Sequence, residues 1–80
     1  MKIFMVDTAN RRKVVEVNEN DKIKNIKDKI MAKSNISNIN EIKLLFNGEI
    51  LEDNETVNNY EIVEYNHLTY LGKFKGGKYL

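Results

Sequence analysis

Eighty residues suit one domain, and a chain this short buries a modest share of its surface. Thirteen Lys and Arg against twelve Asp and Glu leave a net charge of +1, which argues against a dedicated nucleic-acid binder. The absence of cysteine excludes disulfides and thiolate metal sites, and a lone His67 cannot build a His-based metal site or a catalytic pair that needs a partner histidine. No metal or cofactor is expected. No apolar run approaches membrane-spanning length, and the opening MKIFMVDTAN lacks the apolar core of a signal peptide. A cytoplasmic or nuclear location and no membrane contact are therefore expected.

The stretch MKIFMV alternates, with Met1, Ile3 and Met5 on one face and Lys2 and Phe4 on the other, which predicts a strand with one buried face. DTANRR has turn composition. KVVEV resumes strand character, Val15 and Val17 sharing a face opposite Glu16, so the two strands predict an N-terminal hairpin. From residue 22 the period changes. Ile23, Ile26 and Ile30 fall on one helical face, with lysines and Asp28 on the other, and Asp21 is the expected N-cap. Lys33 sits where positive charge suits the helix C-terminus.

SNISNINE is a polar loop. IKLLF-NG-EIL is the clearest local signal, because Asn47 and Gly48 both tolerate positive φ and favour a type I′ hairpin. Ile42 and Leu44 are expected to face inward, Lys43 and Leu45 outward. EDNETVNNYEI reads as irregular, with a short helical turn after Thr56 and anchors at Val57, Tyr60 and Ile62. HLTYLG alternates again, Leu68 and Tyr70 inward, Thr69 and Leu71 outward. The order predicts an α+β roll: a mixed sheet of four to five strands with one main helix, the first and last strands parallel.

MKIFMV, the helix DKIKNIKDKI, LLFNGEILEDNET, the Tyr60–Ile62 pair and the closing Gly-Gly together resemble the ubiquitin family over residues 1–77. The resemblance implies a β-grasp fold and a modifier, not an enzyme. It implies a domain of residues 1–77 and a C-terminal extension, 78–80, that a processing protease removes. Gly77 is then the working terminus. Its carboxylate is adenylated by an activating enzyme, passed to an enzyme cysteine as a thioester, and transferred to a target amine. Gly76 and Gly77 have no Cβ, so backbone can approach closely in a narrow channel. Lys73 and Lys75 stand where the family has arginines, and Phe74 where it has a leucine; all three are expected contacts of the activating enzyme. No acid–base pair or metal cluster supports an enzyme, and KGGK lacks the context of a phosphate-binding loop.

The resemblance also implies a partner-binding patch of Leu45, Gly48, Thr69, Leu71 and Thr8, read by receptors of the ubiquitin-binding type. Thr69 and Thr8 replace a histidine and a leucine, so less apolar area is expected there. Ile36 marks a second surface, weakened by Gly72 in place of a leucine. Glu49 and Glu64 stand at two chain-linkage lysines of ubiquitin, and a carboxylate cannot attack a thioester. Lys29 and Lys33 are the remaining candidate acceptors, expected on a solvated face, whereas Lys27 is expected to pair with Asp53. Lys13 falls where the family buries an aliphatic, so its ammonium is expected to reach water or the hairpin register to shift. A monomer is expected. The alternative role is a non-conjugated binding domain, or a cleavable N-terminal fusion partner, of a larger protein.

Overall fold

In the computed structural model, β1 (Lys2–Val6) and β2 (Arg12–Glu16) precede α1 (Ile23–Met31). They are followed by β3 (Ile42–Phe46), β4 (Glu49–Ile50) and β5 (His67–Gly72), with 3-10 turns at Ile39–Glu41 and Asn58–Tyr60. The structure describes residues 1–32 and 38–72. Lys33, Ile36, the tail residues Lys73, Phe74, Lys75, Gly76 and Gly77, and the extension 78–80 lie outside the described residues. The five strands form one sheet in the order β2-β1-β5-β3-β4. β1 is antiparallel to β2 and parallel to β5, while β3 is antiparallel to both β5 and β4. The parallel pairing of first and last strands requires a crossover, and α1 lies within it.

The sheet alternates as the sequence predicts. Ile3, Met5, Ile42, Leu44, Leu68 and Tyr70 turn inward and are buried. α1 lays Ile23, Ile26 and Ile30 against them, and Leu51, Val57 and Ile62 close the core from the segment after β4. Each fully buried aliphatic contributes about 1.5–3 kcal/mol relative to exposure, which supplies the helix with stability that its isoleucine-rich sequence lacks by itself. Lys13 pairs with Met5 and is exposed, so its ammonium does reach water.

Asp21 is not the N-cap of α1. That position belongs to Lys22, whose backbone N–H donates to Asn25 Oδ1 at 2.9 Å. The Asp21 carboxylate instead accepts from the Asn18 N–H at 2.9 Å. The open N–H groups of the first helical turn are met from far along the chain: Ile23 N–H donates to the Glu55 carbonyl at 2.9 Å, and Lys24 N–H to the Asp53 carbonyl at 3.1 Å. Residues 53–55 therefore act as a remote cap. Tyr60 fixes the same segment, its hydroxyl accepting from the Glu52 N–H at 2.8 Å. Asn47 at φ 53° and Gly48 at φ 79° make the turn between β3 and β4, both in the left-handed region that a type I′ turn requires.

Candidate protein-interaction surface

The face of the sheet opposite α1 carries the candidate site. Register sets its layout. Thr69 on β5 lies opposite Leu45 on β3 on one side and Val6 on β1 on the other. Leu45 lies opposite Ile50 of β4, and Val6 opposite Arg12 of β2. One row of side chains, Arg12–Val6–Thr69–Leu45–Ile50, thus crosses all five strands. Leu71, paired with Lys43, lies one step along β5 on the same face. Such cross-strand neighbours lie about 4.5–5.5 Å apart at Cβ, close enough to form continuous surface.

Of the predicted patch, the structure brings Leu45, Thr69 and Leu71 together on β3 and β5. Leu45 and Leu71 are half-buried and Thr69 is exposed. Gly48 lies beyond the end of β3 in its turn, and Thr8 is exposed at the β1–β2 tip, two residues past Val6. The tip is built by Asp7. Its Oδ1 accepts from the backbone N–H groups of Ala9 and Arg11, both at 2.9 Å, and its Oδ2 accepts from Arg11 Nε at 2.9 Å. Hydrogen bonding from the Arg11 backbone outweighs the opposing effect of burial, and with help from the Arg11 side chain it holds the Asp7 carboxyl below its ordinary pKa.

A lowered pKa in the folded state means that the Asp7 contribution is intact above the unfolded aspartate pKa and is lost as pH falls through the folded value. Asp7→Asn is therefore expected to be less stable than the wild type at neutral pH. The gap should close on acidification, as urea melts at a series of pH values would reveal. A gap that widened toward acid pH would contradict this assignment.

Four apolar residues of this face were not among the predicted ones. Val6 and Phe4 are half-buried, while Ile50 at 56 % and Val14 at 52 % are open to solvent. Val6 and Ile50 flank the Thr69–Leu45 pair, so the apolar area runs wider than the two threonines suggest. Phe4 lies between Val14 and His67. The His67 imidazole stacks on the Phe4 ring at 4.8 Å, and the Arg12 guanidinium is 5.4 Å from the ring centroid. Strand parity carried the signal: Val6 and Val14 share the outward phase of Lys2 and Glu16, where polar residues are the rule.

The linkage positions are equally definite. Glu64 accepts from the Lys2 backbone N–H at 2.9 Å, tying the turn before β5 to β1. Lys27 forms the expected ion pair with Asp53. Lys29 is exposed, as expected, but it is not without partners: its Nζ donates to the Glu16 carbonyl and lies 3.8 Å from Asp21 Oδ2. Among the described residues, no group of three or more His, Cys, Asp or Glu is placed to hold a metal ion.

A family model, that of the ubiquitin family, matches residues 4–74. The match takes in β1 from Phe4 onward, the other four strands, the helix and the outer-face row, and it agrees with the five-stranded mixed sheet and single main helix. On that extent of sequence and that topology, the chain belongs to the ubiquitin family and has its β-grasp fold.

Proposed function

We propose that this protein is a divergent ubiquitin-like modifier, processed after Gly77 and conjugated to amines. The observation that carries the reading is the Gly76–Gly77 pair standing just past residue 74, where the family match ends, and four residues after the last residue of β5, Gly72. In the proposed sequence a protease hydrolyses the Gly77–Lys78 peptide bond and leaves a carboxylate. That carboxylate attacks the α-phosphorus of ATP, expelling pyrophosphate and giving an acyl adenylate. An activating-enzyme thiolate displaces AMP, a conjugating-enzyme thiolate takes the acyl group in turn, and a target amine displaces that thiolate to form an amide. The protein supplies an acyl group and catalyses none of these steps. Lys73 and Lys75 offer point charges to acidic groups on the activating enzyme, and Phe74 an apolar anchor.

The outer face gives the modifier something to be read by. Leu45, Leu71, Val6 and Ile50 offer apolar contact around Thr69, which suits receptors that bury a small aliphatic cluster. The same face also supports the second reading, a non-conjugated binding domain or cleavable fusion partner, since it needs no free tail. Cytoplasm and nucleus are the proposed locations. Glu49 and Glu64 cannot accept acyl groups, and Lys29 must release the Glu16 carbonyl before it does so.

Intact mass separates these readings. The chain is incubated with ATP in extract from its source cells, beside a Gly77→Ala variant. Loss of Lys78–Leu80 together with Gly77-dependent adducts on other proteins is the expected result. Loss of the three residues without adducts would favour a cleaved fusion partner. An unchanged mass without adducts would leave the non-covalent domain.

A further inference from the structure

We infer that the free edge of β2 pairs with β2 of a second copy, antiparallel about Val14, joining two sheets into one. This inference is independent of the tail. β2 is an edge strand, with β1 on one side and no strand on the other among the described residues. Its free backbone groups follow from the ladder. Met1 and Val17 exchange both of their hydrogen bonds, at 2.7 and 2.8 Å, and the Asp7 N–H donates to the Arg11 carbonyl at 3.1 Å. Alternation in an antiparallel pair then turns the backbone of Val15 and Lys13 toward β1 and that of Arg12, Val14 and Glu16 outward. An exposed row of this kind is a template for another strand. The Glu16 carbonyl already accepts from Lys29 but keeps a second lone pair.

The side chains favour a second copy as the occupant, and one register of it. With the two-fold axis at Val14, Val14 meets its equivalent, and each Arg12 faces the Glu16 of the other copy on the outer face. The sequence Arg12-Lys13-Val14-Val15-Glu16 is thus charge-complementary to itself. Lys13 then lies opposite Val15. Moving the axis to Lys13 sets two lysines face to face, and moving it to Val15 sets Val14 against Glu16 and forfeits both ion pairs. Glu16 is available, with its side chain 70 % exposed, and Val14 is 52 % exposed. Room exists on the inner face, where a cavity of about 330 Å³ lined by Met5, Lys13, Val15, Ile30 and Tyr70 separates β2 from α1. A five-residue pairing is small, so the dimer is weak, with a dissociation constant on the order of 10⁻⁴ M.

The test is a dilution series of the full chain, followed by backbone amide NMR and sedimentation equilibrium. Concentration-dependent shifts centred on residues 12–16, with a mass approaching two copies near millimolar concentration, are expected. Arg12→Glu or Glu16→Arg alone should weaken association about tenfold or more, because both ion pairs become repulsions. Combining them should restore it, with the thermal melt confirming that each variant folds. A monomer at millimolar concentration would overturn the inference and leave the edge to a strand from another protein. Failure of the double variant to recover would overturn the Val14 register.

Discussion

Leu44→Ala is expected to lower the free energy of unfolding by about 3 kcal/mol, and its neighbour Leu45→Ala by less than about 1 kcal/mol. The two leucines are chemically identical and adjacent on β3, but they point to opposite faces. Leu44 is fully buried opposite Tyr70, so truncation removes transfer free energy and leaves a cavity between sheet and helix. For a domain of this size that amounts to a fall in Tm of roughly 15 °C. Leu45 is only half-buried, between Thr69 and Ile50, and its loss can be filled by water. Function should invert the order. If the outer face docks receptors, Leu45→Ala should weaken binding to a receptor domain that reads ubiquitin's apolar face about tenfold or more, while folded Leu44→Ala binds like the wild type. Thermal melts alongside a binding titration decide the matter. Equal binding by wild type and Leu45→Ala would remove the β3–β5 face as the docking surface.

Much of this fold was legible because its signals are local. The alternation of β1 and β5, the change of period at Ile23 and the Asn47–Gly48 turn each need only a few consecutive residues. What the sequence did not disclose depends on register between distant strands. Thr69 looks like a loss of apolar area until the pairing of β5 with both β1 and β3 places Val6 and Leu45 on either side of it. Asp21 has the right chemistry for an N-cap, but the carbonyls of Asp53 and Glu55 reach the helix first and Asn18 takes its carboxylate. Lys29 reads as a solvated lysine on the helix wheel and is exposed, but only the tertiary fold brings the Glu16 carbonyl within reach of its Nζ. The reading of the tail rests on the family resemblance alone, since Gly76 and Gly77 have no local pattern that distinguishes a conjugation terminus from a frayed end and lie outside the described residues.

Asp53→Ala should destabilise the protein more than Lys27→Met, although both remove the same ion pair. The Lys27 side chain is 8 % exposed and that of Asp53 is 40 %. Removing Asp53 leaves an ammonium stranded without its counter-charge on a side chain only 8 % exposed, a loss of about 2–3 kcal/mol once the exposure of its partner is allowed for. Removing Lys27 strands nothing of the kind. The carboxylate turns to water, and the methionine stem occupies the volume that the lysine stem held, so the expected cost stays within about 1 kcal/mol. The Asp53 backbone carbonyl accepts from Lys24 in both variants, so the remote cap of α1 survives and does not blur the comparison. Because the Lys27 ammonium is shielded from solvent, the cost of stranding it should persist at high salt, whereas the energy of a fully exposed pair would fade. Urea denaturation of both variants at low and high ionic strength measures it. A Lys27→Met variant as unstable as Asp53→Ala would mean that the attraction itself, and not the desolvated ammonium, sets the energetics at this point. In that case this position of the helix would depend on its charge for stability.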